Sequence, residues 1–240
     1  MEQEIYWIWL SILPRMRVQQ VKELGKVYES LENLWQEKNE KALQKIYHVG
    51  EKLAKEILKE EWKQEAIAEW EKCKSKRVQV LGLGAENYPL LLKQIYDPPI
   101  CLYAQGNIDI LSETSVAMVG SRKASEYAKK VAYFLAYQLA QKKIHVVSGL
   151  AKGVDAYSHM GAIRAYNGKE KTGKTIAVMG TGCDTVYPKE NVRLLEQILA
   201  SGGAVVSEYR METKLNRYHF PERNRIISGL AKRNDCGRSE

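Results

Sequence analysis

The stretch Ile144-His145-Val146-Val147-Ser148-Gly149-Leu150-Ala151-Lys152-Gly153-Val154-Asp155 decides the fold. A short β-branched run ends in small residues, and a helical pattern then runs over 155–166. That order, strand to tight turn to helix, is half of a βαβ unit. The pattern repeats on both sides. Upstream, 116–119 is a short apolar run ending at Gly120, followed by a helix over 127–141. Downstream, 175–179 ends at Gly180, 191–200 reads as a helix, 204–206 ends at Ser207 and Glu208, and 222–230 starts another helix. The alternation predicts a doubly wound parallel α/β sheet with right-handed crossovers. Ligands of such sheets bind beyond the carboxyl ends of the strands. Small and polar residues collect there: Gly120-Ser121-Arg122, Ser148-Gly149 with Lys152-Gly153, Gly180 with Gly182, and Ser207-Glu208. Main-chain N–H groups at such ends can approach an anion.

Residues 1–77 read differently. They hold one proline, two glycines and all five tryptophans, Trp7, Trp9, Trp35, Trp62 and Trp70. Leu24, Val27, Tyr28, Leu31 and Leu34 follow helical spacing, as do Leu53, Ile57, Leu58, Trp62, Ala66 and Trp70. A small bundle of three or four helices is expected, with a long last helix. Val49-Gly50-Glu51 has the form of the second half of a helix-hairpin-helix, whose glycine opens a helix; the first glycine is missing, and a packed helix start is the preferred reading. The chain of 240 residues carries 37 Lys and Arg against 29 Asp and Glu, a net charge of +8. Residues 1–77 hold 15 basic and 14 acidic side chains, so the excess lies in 78–240, the region with the strand ends. Cys73, Cys101, Cys183 and Cys236 are far apart and form no C-x-x-C pair, which excludes a zinc ribbon and argues against a disulfide framework. No apolar run reaches the roughly 18 residues of a membrane span, and the amino terminus lacks signal-peptide features. A cytoplasmic protein with no membrane partner, metal or cofactor is expected.

Residues 168–175 match G-x-x-x-x-G-K-T letter for letter. A phosphate loop needs a strand before it and a helix after it. Here the order is reversed, so a basic connection is expected and ATP chemistry is not. Asp155 and His159 lie four apart on one helix face. They are read as structural, the carboxylate near a helix N-terminus and the imidazole in a packed interior. No catalytic constellation stands out.

Taken together, the segments resemble the DNA-processing protein A (DprA/Smf) family. The resemblance rests on Val119-Gly120-Ser121-Arg122, the 148–155 stretch with His159, and 180–184 leading to Tyr187-Pro188-Lys189-Glu190-Asn191. Ser207-Glu208-Tyr209 and the 219–230 segment complete it. Upstream, Asn87-Tyr88-Pro89, Asp97-Pro98-Pro99 and Leu102-Tyr103 with Gly106 also match. The resemblance implies a Rossmann-like sheet domain over 113–232, a connecting segment over 78–112 and a SAM-like, helix-hairpin-helix-like domain over 1–77. It further implies a single-stranded DNA-binding protein that hands DNA to the RecA recombinase during natural transformation, not known for catalysis, and homodimeric in its full-length form, a state doubtful for this chain. The family's basic DNA contacts fall on Arg122, Lys189 and Arg217. Gly120, Ser121, Ser148, Gly149, Lys152, Gly153, Gly180 and Gly182 would cradle phosphates, with Asn191, Asn224 and Arg225 as further candidates. Arg223 to Arg225 can also cap and pair locally.

Three departures stand out. Leu13-Pro14-Arg15-Met16-Arg17 replaces a glycine-rich turn, the 168–174 connection is longer and more basic, and 233–240 carries no strand pattern. A competing class, a Rossmann-like nucleotide-processing or nucleotide-sensing protein, would carry a P-G-G-x-G-T-x-x-E signature. Residues 180–184 lack it. The segment Asn234-Asp235-Cys236-Gly237-Arg238, read one base out of frame, can encode Met-Ile-Val-Glu, an apolar strand ending in Glu. A frameshifted tail after about Lys232, and an incomplete, aggregation-prone sheet domain, are therefore expected. Sequencing the locus checks this, and a restored frame without such a strand contradicts it.

Overall fold

The computed structural model describes residues 1–166 and 171–232. The expected tail over 233–240 and the start of the 168–174 connection lie outside the described residues. The chain divides into two compact units: 1–88 with 96–103, and 89–95 with 104 onward.

The first unit is built on helices α1 (Gln3–Ile12), α2 (Val18–Val27), α3 (Leu31–Gln36), α4 (Glu40–Gln44), α5 (Glu51–Leu58) and α6 (Glu60–Ser75), with strand β1 (Gln79–Gly82). Six segments stand where three or four helices were expected. The two long amphipathic runs are each interrupted by one local device. Ser30 ends the first run: its hydroxyl accepts from the Asn33 N–H at 3.1 Å and opens α3 as a new helix. Val27 is thereby left exposed. Lys59 breaks the second run by turning to ψ 123°. Across that break Trp62 Nε1 donates to Glu56 at 2.7 Å. The core gathers the aromatic residues. Trp9 is fully buried, and Trp35 meets it edge-on at 5.1 Å and Tyr6 at 5.4 Å. In the proline turn, Arg15 adopts φ 68°, the left-handed conformation a glycine takes more readily. Gly50 precedes α5, as the helix-start reading expected.

The second unit is the α/β part. It contains α7 (Leu90–Lys93), the end of β2 (Cys101–Gly106), β3 (Ser115–Ala117), α8 (Glu126–Gln141), β4 (His145–Ser148) and α9 (Val154–Tyr166). It continues with β5 (Thr175–Val178), α10 (Val192–Ala200), β6 (Ala204–Ser207) and α11 (His219–Leu230). Strands β6, β5, β4 and β3 lie side by side in that order, all parallel. The register sets Val147 against Ile176 and Ala177 against Val205. Every residue of β4, β5 and β6 is buried, as a parallel sheet covered on both faces requires. The Rossmann-like α/β expectation holds. Strand and helix ends fall within a residue or two of the sequence reading, except that α11 begins at His219 rather than Glu222. A strand follows the 168–174 connection, as the rejection of a phosphate loop required.

Small residues let α8 and α9 approach closely. Ala132, Ala136 and Ala140 recur every fourth position on α8 and are buried. A side chain at Gly161 of α9 would come within 2.1 Å of the Tyr133 carbonyl. Cys73, Cys101 and Cys183 are free thiols. Among the described residues no helix is long and apolar enough to cross a membrane.

His159 sits in this interior with no exposure. The Thr175 hydroxyl donates to the Val146 carbonyl at 2.9 Å, so it accepts from His159 Nδ1 at 2.6 Å. Burial, aided by the Arg223 charge, pushes the His159 pKa down to about 3. The unfolded chain takes up this proton near pH 6.5, whereas the folded chain does so only near 3. Stability contributed by the neutral ring is therefore full above 6.5 and lost as pH falls toward 3, at up to about 1.4 kcal/mol per pH unit. Urea unfolding between pH 6.5 and 4 should show a slope shallower by up to about one proton in His159→Gln than in the parent chain. Equal slopes contradict it.

Candidate nucleic-acid interface

A crevice of about 740 Å3 opens at the carboxyl ends of the parallel strands. Its floor carries two buried groups of opposite charge, Arg223 and Asp155. Arg223 of α11 is 3% exposed and reaches under the strand ends. Its Nη1 donates to the Gly149 carbonyl at 2.7 Å, and also to the carbonyl of Val178, the last residue of β5. A Cβ on Gly149 would fall 2.4 Å from the guanidinium, so glycine there makes room for this contact. Asp155 lies at the start of α9, where burial pushes its carboxyl upward against the opposing pull of Arg223 and of main-chain N–H groups of Ala151, Gly120 and Gly149. Burial likewise lowers Arg223, with Asp155 acting the other way. A buried charge is tolerated where an opposite charge and hydrogen bonds offset its lost hydration.

The rim is basic and aromatic. Arg122 and Arg217 both line the crevice and are exposed. The Arg122 guanidinium stands 4.8 Å from the Phe220 ring centre. Tyr187, also lining, is 5.9 Å from the same ring. Arg217 lies 4.9 Å from the Tyr218 ring and donates to its hydroxyl at 2.9 Å. These stacking contacts hold flat cations in place while leaving their edges toward solvent.

Of the residues singled out from the sequence, Gly120, Arg122, Arg217 and Asn224 line this one crevice. Ser121 is exposed in the same loop, its hydroxyl accepting from the Lys123 N–H. Lys189 is exposed at the start of the 3-10 turn Lys189–Asn191, outside the lining. Lys152 is exposed and paired with Glu190 at 2.7 Å.

Others are placed inside the protein. Ser148 is fully buried and donates to the Met118 carbonyl at 2.6 Å. Asn191 donates to the Leu150 carbonyl at 2.8 Å, tying one loop to another. Gly153 adopts φ 77°, and a Cβ there would stand 2.2 Å from the Ser121 carbonyl. Gly180 accepts from the His219 ring at 3.1 Å and faces Phe220. Gly182 spends its N–H on Thr213. Arg225, only partly buried, reaches Glu208 at 2.5 Å. These contacts pin the loops behind the crevice. The sequence reading passed over Phe220 and Tyr187. Their signal was present, since aromatic residues stand between basic ones in Arg217-Tyr218-His219-Phe220 and next to Pro188-Lys189.

The family profile of DNA recombination-mediator protein A matches residues 79–234. The chain belongs to the DNA recombination-mediator protein A family. Among curated relatives, the Bacillus subtilis DNA processing protein DprA is 38% identical over 156 residues, covering 65% of this chain and 50% of the relative. The Synechocystis protein Smf is 33% identical, covering 96% of this chain and 57% of the relative. The chain thus spans about half the length of the curated relatives it matches. The crystal structure of DNA processing protein A from Streptococcus pneumoniae aligns with a TM-score of 0.73 at 33% identity, over 96% of this chain and 76% of that one. A Helicobacter pylori relative, described for its single-stranded DNA binding mode, aligns with a TM-score of 0.55 at 30% identity, over 65% of this chain and 66% of that one.

Proposed function

We propose that the crevice binds single-stranded DNA without regard to sequence, and that the protein passes the strand to the RecA recombinase in the cytoplasm during DNA uptake. Arg122 and Arg217 meet phosphates, and Lys189 continues the basic path along the strand. The Phe220 and Tyr187 rings offer a face on which a base can stack. The observation that carries the reading is the presence of two exposed arginines and the Phe220 and Tyr187 rings on one concave wall. Phosphate contacts carry no sequence information, and every base presents a π-face, so such a wall accepts any strand. The single-stranded DNA binding mode described for the H. pylori relative supports the same reading.

We read the protein as a binder without catalysis. Asp155 is the carboxylate among the lining residues, and it is committed to Arg223 and main-chain donors. His159 is buried and held neutral. Neither is poised for proton transfer to a ligand.

The test is fluorescence anisotropy with labelled oligothymidylate, compared with duplex of equal length. Arg122→Ala and Arg217→Ala should each weaken single-strand binding by about tenfold, roughly 1.4 kcal/mol, and each should lower the log–log salt slope by about 0.7. Unchanged affinity and slope in both variants would remove the crevice as the binding site.

A further inference from the structure

The helical unit carries a second concavity, separate from the crevice, of about 680 Å3. Lys26, Lys41 and Lys45 line it, together with Val27, Ile46 and Tyr47. Glu23 is the acidic residue on its wall, and its carboxylate is held by Lys26 at 2.6 Å. Lys41 and Lys45 are four residues apart at α4, so their ammonium groups share a face. Both are exposed, and neither forms an ion pair among the described residues. The composition of residues 1–77, nearly neutral in sum, hides this local positive patch.

The same concavity exposes an aromatic ring. Tyr47 is 70% exposed. Its ring centre lies 3.9 Å from that of His48. His48 adopts φ 65°, a left-handed conformation that is strained for a residue with a side chain. Val27, 59% exposed, adds an apolar patch to the wall.

We propose that this concavity is a second single-stranded DNA site, with Lys41 and Lys45 on phosphates of one strand and Tyr47 beneath a base. Unpaired lysines beside an exposed ring are what a sequence-tolerant single-strand contact uses. An acidic peptide would answer the lysines and leave the ring without a stacking partner. The proposal does not depend on the crevice, because every group it uses belongs to the helical unit.

The test uses the full chain and an oligothymidylate carrying 5-iodouracil, with photo-crosslinked positions mapped by mass spectrometry. A crosslink at Tyr47 or His48 is expected, and it should persist in an Arg122→Ala/Arg217→Ala variant. Lys41→Gln/Lys45→Gln should reduce it about fivefold and lower the salt slope of the remaining binding by about 1.4, with an unchanged melting curve. No crosslink in this segment, or one undiminished by the lysine exchange, overturns the proposal. So does displacement of the crosslink by polyglutamate at lower charge concentration than by unlabelled oligothymidylate, which would assign the site to an acidic peptide. A crosslink at Tyr47 with none at Phe220 would remove the crevice reading and leave this one standing; the reverse pattern would do the opposite.

Discussion

The candidate interface depends on one buried guanidinium. Arg223 reaches from α11 under the strand ends and donates to carbonyls following β4 and ending β5. A buried carbonyl left without a donor costs about 1–3 kcal/mol. Burial pulls the Arg223 pKa down, and the Asp155 charge at the start of α9 opposes that pull. Arg223 therefore ties α11 to the ends of two neighbouring strands at the point where the chain must leave the sheet. The consequence is a crevice whose floor is fixed before any ligand arrives, so that binding need not order it.

The glycines take their meaning from that floor. Gly149 is small because Arg223 lies against it, and Gly153 because the Ser121 carbonyl does. Gly153 packs against the Ser121–Arg122 backbone of the loop that brings Arg122 to Phe220. Gly149 and Gly153 serve the packing behind the wall, which Arg122, Arg217, Tyr187 and Phe220 help to line.

Much of this was legible in the sequence. The strand and helix alternation could be read because each strand is a short β-branched run closed by small residues, a signal within ten residues of chain. The crevice was legible as a place, and Arg122 and Arg217 do share it. Other features were hidden for physical reasons. The breaks at Ser30 and Lys59 depend on one capping hydroxyl and one backbone angle, which apolar spacing does not record. Ser148 and Asn191 read as polar groups open to a ligand, but their hydrogen bonds close on carbonyls 30 and 41 residues away. Phe220 meets Arg122 across almost a hundred residues, so its place beneath the cation is a tertiary fact. Arg223 was read as able to cap or pair locally, and only the packing of α11 shows it buried.

The most direct measurement is a structure of the chain with oligothymidylate bound. The account predicts phosphates against Arg122 and Arg217, a base on Phe220 or Tyr187, and Arg223 still bonded to the carbonyls of Gly149 and Val178. A phosphate held by Arg223 itself, or a strand that leaves this crevice empty, would contradict it.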